Sequence, residues 1–193
     1  MRYLNTWKIR KIMFPVIFLV IGIIIGLLIG YMMLTQCYGA LNETLGSVKE
    51  VTEEYEKLSY SYKLSLILDT IELAQWNSLS AAHTLSLKLI MQKINVTPYD
   101  VKPGLYVSRV KEMLNDRINM FKNVKPPEHV KEEHLKILVL LNQLSDEVED
   151  LYKISIKATL EPEDVSDAKR IVNEIFDVAE EIRKEIEYIT SNL

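Results

Sequence analysis

Apolar residues recur every three or four positions along most of this chain, the spacing that places them on one face of an α-helix. This periodicity predicts four helices, at about residues 40–95, 103–123, 127–159 and 162–190. Three segments that contain proline separate them, NVTPYDVKPG at 95–104, NVKPPEH at 123–129 and TLEPEDVSD at 159–167. No alternating strand pattern competes. We therefore predict an all-α protein, an antiparallel four-helix bundle with a long first helix.

The last three helices each carry one apolar stripe, as expected for helices that cover a common core. The stripe of the second helix consists of Val107, Val110, Leu114, Ile118 and Phe121. That of the third consists of His134, Ile137, Leu141, Leu144, Val148, Leu151, Ser155 and Ala158. That of the fourth consists of Val165, Ala168, Ile171, Ile175, Val178, Ile182, Ile186 and Ile189. These positions are the predicted core.

The first helix departs from this pattern, because it is apolar on most of its faces between Leu64 and Ile94. One helix of a four-helix bundle has to bury only about half of its surface. Either this helix is the most enclosed of the four, or its additional face contacts another subunit or a ligand. Trp76 and His83 mark that candidate ligand or partner face. We expect His83 itself to be partly buried in the core.

An apolar segment without any charge precedes the bundle and covers 23 residues, 12–34. As a helix it would span roughly 34 Å, enough to cross a bilayer, and it is too long for the apolar part of a cleaved signal peptide. Basic residues precede it and acids dominate beyond it, which predicts a cytoplasmic amino terminus. The predicted organisation is a cytoplasmic tail at 1–11, a transmembrane helix at 12–34, a stalk with the start of the long helix at 35–60, and an extracytoplasmic bundle at 61–193.

Three glycines stand four residues apart in the apolar segment, at Gly22, Gly26 and Gly30. This spacing puts them on one helix face, where glycine lets two membrane helices approach closely. It predicts self-association of the anchor, with chance spacing as the alternative. Cys37, seven residues after Gly30, returns to nearly the same face. It is a candidate for an intersubunit disulfide or for lipidation, with an unreacted thiol as the third reading.

Charge and composition exclude several classes of function. Four of the 23 basic residues precede the apolar segment, which leaves 19 bases against 27 acids in the outer part. Such an acidic surface repels nucleic acid. The single cysteine excludes an intramolecular disulfide framework and a cysteine-based zinc site. His129 and Glu133 share a helix face but lack a third ligand, and no nucleophile motif or phosphate-binding loop occurs. We expect neither a cofactor nor an enzyme.

Two tripeptides match the acceptor sequence for N-linked glycosylation, at Asn42 and Asn95. Pro98 follows the second tripeptide directly and disfavours its modification. Both asparagines are therefore candidate modification sites whose use depends on the host cell.

The sequence favours a structural or interaction protein, in which a membrane-tethered bundle self-associates or holds an unidentified envelope protein. The alternative is a sensing module whose bundle core, from Trp76 to His83, accepts a small apolar ligand. The predicted architecture resembles the extracytoplasmic four-helix sensor domains of bacterial and archaeal chemoreceptors, which implies a sensory role. A binding module should have an internal pocket beside Trp76. An interaction protein should have a packed core and an exposed apolar strip along the first helix.

Overall fold

The computed structural model describes residues 4–96 and 102–193, with side chains from Leu19 onward except that of Val20. All regular structure in these ranges is helical. The elements are α1, Leu4–Lys93; α2, Pro103–Lys122; a 3₁₀ turn, Glu128–Val130; α3, Lys131–Ser155; and α4, Pro162–Asn192. The predictions of an all-helical fold and of a long first helix are confirmed. Residues 1–3 of the predicted tail and residues 97–101 of the first interruption lie outside the described ranges.

The chain divides into two units, one that ends at Glu54 and one that runs from Tyr55 to Leu193. In the first unit, every side chain from Ile21 to Glu54 is exposed. Among the described residues, one helix near the N-terminus is long and apolar enough to cross a membrane, with a mean hydropathy of 1.8 in its most apolar window. None of that window is buried inside the protein. This part of α1 is a candidate membrane span.

The core of the second unit follows the predicted stripes. In α4 every predicted stripe residue is buried, and in α3 the stripe is buried from His134 to Ser155. In α2 the stripe is buried except at Ile118, which is half-buried. α3 packs against both α2 and α4. The three-and-four spacing therefore identified the face of each of these helices that covers the core.

α1 contributes one face to the same core, from Tyr60 to Leu85. The buried apolar residues of this face are Tyr60, Leu64, Ile67, Ile71, Ala74, Ala81, Ala82 and Leu85. Two hydrogen bonds at different levels of the bundle join α1 to the carboxyl-terminal part of the chain, at the end of α4 and within it. The Lys57 ammonium donates to the carbonyl oxygen of Leu193 at 2.6 Å, and the Arg183 guanidinium donates to Gln75 Oε1 at 2.5 Å. Because residue numbers rise along α1 as they fall along α4, the two helices run antiparallel at these contacts.

α3 is shorter at both ends than the predicted range of 127–159. At the start, the Val130 amide donates to the Pro127 carbonyl at 3.1 Å, so a 3₁₀ turn comes before the α-helix. At the end, Ala158 is exposed, which corrects its assignment to the core, and Leu160 is buried instead. The helix has to stop at Ser155 because the chain turns back there to bring Leu160 inward.

The turn between α3 and α4 is held by a capping box at the start of α4. The Glu161 amide donates to Asp164 Oδ2 at 2.9 Å, and the Glu161 side chain accepts from the Asp164 amide. Lys157 donates to the other carboxylate oxygen of Asp164 at 2.5 Å. The hydrogen bond from the Glu161 amide lowers the pKa of Asp164 most, and the hydrogen bond from Lys157 lowers it further. The turn thus satisfies amides that would otherwise lack partners at the helix end.

Candidate interaction surface

α1 presents a second apolar face in the part of the chain where its first face is buried. We call this exposed face the α1 strip; its apolar members are Leu73, Trp76, Leu87, Ile90 and Ile94. Ser80 and His83 lie on the same line and are also exposed. The seven positions alternate by three and four residues, as one face of a helix requires. The strip is therefore a continuous, mostly apolar surface that the other described helices leave uncovered.

Trp76 lies on the surface, with 61% of its area exposed. The expectation that His83 is partly buried is wrong, because it is exposed. The neighbouring Ala82 and Leu85 are buried against the core, whereas His83 stays exposed. Deep burial is also wrong as an account of the apolar excess between Leu64 and Ile94. The excess forms a second surface instead.

His83 borders a shallow groove between α1 and α4. The groove has a volume of about 250 Å³ and is lined by Leu79, Ala82, His83, Ser86, Lys169, Val172 and Asn173. Trp76 is absent from this lining. The polar side chains of Lys169 and Asn173 stand at its α4 edge. The groove therefore lies beside the α1 strip rather than within the core next to Trp76.

Inside the second unit, a polar contact joins α1 to α3. The hydroxyl of Tyr60 lies 3.0 Å from Nδ1 of His134, and both residues are buried. The Phe121 ring lies over the imidazole, with 4.1 Å between ring centroids. Burial lowers the pKa of His134 and, with the nearby charge of Glu133, raises that of Tyr60. Both shifts favour the neutral forms, and a neutral imidazole and a phenol can share one hydrogen bond. The sequence placed His134 on its stripe but did not identify Tyr60 as its partner.

Two carboxyl groups meet where α3 and α4 pack. Burial, followed by a hydrogen bond to Glu174, raises the pKa of Glu147. Arg170 donates to Glu174 Oε1 at 2.7 Å. A second polar link, between Lys136 and Glu185, joins the same two helices. The Glu147–Glu174 and Lys136–Glu185 pairs therefore link α3 to α4, whereas Arg170 and Glu174 both belong to α4.

The glycine face of the first unit is open. A Cβ atom added at Gly22, Gly26 or Gly30 would have nothing within 4 Å. The missing side chains leave a shallow apolar depression beside Gly26 and Gly30, bordered by Leu34 among others. Cys37 is a free, exposed thiol. The structure thus leaves room for another helix at this face, and the packing role of the glycines stays a prediction.

The two candidate glycosylation sites differ in their backbone setting. Asn42 is exposed within α1. Asn95 is exposed and has a φ of 53°. Its amide donates to the Gln92 carbonyl, and the next amide, that of Val96, donates to the Met91 carbonyl at 3.0 Å. This is a Schellman motif, in which a left-handed residue ends the helix. Asn95 therefore has a structural role, and Thr97 of its tripeptide lies outside the described residues.

The histidine that prompted the metal question has another contact. His129 Nε2 lies 3.0 Å from the carbonyl oxygen of Asn192 at the end of α4. Within residues 4–96 and 102–193, no three His, Cys, Asp or Glu side chains are grouped so as to hold a metal ion.

No protein-family model, curated protein or solved structure matches this chain. The functional proposal is based on the exposed α1 strip.

Proposed function

We propose that this protein is a membrane-anchored, extracytoplasmic helical bundle with a structural or protein-interaction role and no catalytic chemistry. Its partners are the lipid bilayer, further copies of itself and an envelope protein that docks on the α1 strip. The observation that carries this proposal is the exposure of the α1 strip beside a filled core. Monomeric soluble proteins rarely leave a continuous apolar surface of this kind in water.

The proposed anchor is the apolar beginning of α1. Its side chains from Ile21 to Leu34 are exposed and have no protein partner to cover them, and a bilayer would do so. The proposed orientation puts the amino terminus in the cytoplasm, because Arg2, Lys8, Arg10 and Lys11 precede the segment. The signal anchor would then leave the remainder of the chain outside the cytoplasm.

The proposed bundle consists of α2, α3, α4 and the part of α1 beyond Tyr55. Four contacts, two for each pair of helices, support an antiparallel arrangement of neighbouring helices. Lys111 of α2 pairs with Glu149 of α3 at 2.5 Å, and Phe121 of the same helix lies against His134 at the other end of α3. From the first contact to the second, residue numbers rise along α2 and fall along α3, so these two helices run antiparallel. The hydrogen bonds between α1 and α4 follow the same rule, as up-and-down bundles require.

An interaction role is favoured over the sensing alternative by the position of Trp76. A sensing module of the proposed kind would hold its ligand in the core from Trp76 to His83. Both side chains are exposed, and their α1 neighbours Ala81 and Leu85 are completely buried. An apolar ligand needs an enclosed site to gain by leaving water. The surface position of Trp76 suits contact with another protein better.

The proposed topology is tested by protease treatment of intact spheroplasts that carry the full chain with one epitope at each terminus. We expect the carboxyl-terminal epitope to be lost and the amino-terminal one to be protected. Loss of the amino-terminal epitope with protection of the other would overturn the orientation. Extraction of the untreated protein by alkaline carbonate would overturn the anchor.

The proposed docking surface is tested by site-specific photocrosslinking in intact cells. A photoreactive amino acid replaces Trp76 on the α1 strip or, as a control away from the strip, exposed Gln143 on α3. We expect one discrete adduct from position 76 and much less of it from position 143. The same adducts from both positions, or none from position 76, would argue against the α1 strip as the docking surface.

A further inference from the structure

Exposed apolar residues also follow α1 on the amino-terminal side of the bundle, with the same alternation of three and four residues as the α1 strip. Leu41, Val48, Tyr55 and Tyr62 are seven residues apart. A parallel line of Thr44, Val51 and Leu58 follows three residues behind. Together these seven residues, which we call the stalk stripe, occupy the a and d positions of a heptad repeat. Every one of them is exposed.

The portion of the stalk stripe in the second unit stays exposed although α1 packs into a core there. Tyr60 retains only 2% of its surface, whereas Leu58 retains 71%. Tyr55 and Tyr62 are exposed on the same side as Leu58. Residues two positions apart on a helix point in nearly opposite directions. Folding of the bundle therefore covers Tyr60 and leaves Tyr55, Leu58 and Tyr62 exposed.

The portion of the stalk stripe in the first unit has no tertiary support of its own. Leu41, Val48 and Val51 lie in a helical segment whose side chains are all exposed. This segment also carries Glu43, Glu50 and other charged residues, so it belongs in water rather than in a bilayer. Helices in water owe most of their stability to packing of an apolar face. A partner along the stalk stripe would supply that packing.

Charge favours a second copy of this chain as the partner. The charged residues of the stalk lie at the outward positions of the heptad, at Glu43, Lys49, Glu50, Glu53, Glu56 and Lys57. The positions that flank the stalk stripe are uncharged except for Glu54. Two identical stripes can therefore meet without like charges opposite one another. A different partner chosen by complementary charges would find almost none beside the stripe.

We propose that the stalk stripe joins two copies of this chain in a parallel, in-register coiled coil. The parallel orientation rests on the proposed membrane anchor, because two anchors inserted with the same topology point both stalks the same way. Register follows from the repeat, which places Val51 opposite Val51 and Leu58 opposite Leu58. Cys37 falls on the same line as Thr44, Val51 and Leu58, one repeat before Thr44, so it marks the register at the membrane side.

The test uses disulfide crosslinking of the full chain in membranes, with Cys37→Ser as the background. Val51→Cys places a thiol on the stalk stripe, and Glu53→Cys places the matched control at the outward f position. After mild oxidation with copper–phenanthroline in air, we expect at least about tenfold more disulfide-linked dimer from Val51→Cys, because only facing cysteines meet the geometric limits of a disulfide. Equal crosslinking at both positions would overturn the proposal, as would none at position 51.

A second pair of variants tests whether a charge on the stalk stripe disrupts the interface. Leu58→Glu, made together with Val51→Cys, puts a charge on the stalk stripe and should abolish the crosslink. Glu56→Gln, made in the same background, changes an outward position and should preserve it. Retention of the crosslink in Leu58→Glu would contradict the proposal. Carbonate extraction of the same membranes reports the anchor separately. An anchored protein without the crosslink refutes the coiled coil alone, whereas a crosslinked protein that is extracted refutes the anchor alone.

Discussion

The two faces of α1 in the second unit are both apolar, but only one of them is core. The inner face, with Ile67 and Ile71, is completely buried against the other helices. The outer face, with Leu87 and Ile90, remains more than half exposed. Their side chains are chemically alike, so the difference comes from which side the neighbouring helices occupy. A helix that is apolar all round therefore indicates two packing partners, one of which can lie outside the folded chain.

α4 shows the contrasting case of a helix with a single partner surface. Its apolar stripe is buried along its whole length, and its charged residues lie on the opposite side. On that side α4 exposes only isolated apolar side chains, which do not form a surface for a second protein. The exposed large apolar residues of α4 are Phe176 and Tyr188, whereas α1 exposes a whole strip of them.

Truncation of a side chain on each face of α1 gives the largest expected difference between them. Ile71→Ala on the inner face should lower the free energy of unfolding by about 2–5 kcal/mol, since it leaves a cavity in the core. Leu87→Ala on the outer face should change it by less than about 0.5 kcal/mol, because that side chain is exposed in the monomer. Denaturant titration of the full chain in mild detergent, followed by circular dichroism, measures both. Similar losses in the two variants would mean that the faces are equivalent.

The buried pair of Tyr60 and His134 gives the stability of the inner face a pH dependence. Because burial lowers the pKa of His134, the unfolded chain binds a proton at higher pH than the folded chain does. The stability that depends on an uncharged His134 is complete above the unfolded pKa of about 6.5, and it declines as the pH falls below that value. His134→Gln should remove that part of the pH dependence. It should also cost about 0.5–1.5 kcal/mol through the lost ring contact with Phe121.

The measurement is Tm between pH 8 and pH 5, for the wild type and for His134→Gln. Leu87→Gln on the outer face is the matched control and should reproduce the wild-type pH profile. If His134→Gln keeps the full decline of the wild type toward pH 5, the buried imidazole is not its cause.

The carboxyl pair between α3 and α4 should have a smaller effect, of the opposite sign. Because the pKa of Glu147 is raised, the folded chain takes up a proton at higher pH than the unfolded chain. This group therefore destabilises the fold at neutral pH, and the penalty is relieved as the pH falls through its folded pKa. Glu147→Gln should raise stability at pH 7 by up to about 0.5 kcal/mol. A lower Tm for this variant at pH 7 would contradict the assignment.

The sequence predicted the helices and most of the core because helical spacing is a local property. It assigned Ile175 and Ile182 to the core correctly, since α4 offers only one apolar face. It could not choose between the two faces of α1, and so it placed His83 inside. That choice depends on where α3 and α4 lie, which no local pattern contains. The same limit applies at Ala158, where the sequence repeat continues although the helix has ended and the chain turns to bury Leu160.

The cap at Asn95 shows a further limit of local patterns. Its sequence context fits glycosylation, but its left-handed backbone ends α1 in a Schellman motif. Asparagine accepts this conformation more readily than most residues do. The proline-containing segment predicted that a helix ends here, while the identity of the residue that ends it became evident only from the backbone geometry.

The central claim is that one face of α1 folds the chain while exposed apolar positions of the same helix join it to a second copy. Sedimentation equilibrium of the full chain in density-matched detergent tests it directly. We expect a dimer for the wild type and a monomer of unchanged helix content for the double variant Val51→Glu with Leu58→Glu. A monomeric wild type, or a double variant that remains dimeric, would contradict the claim.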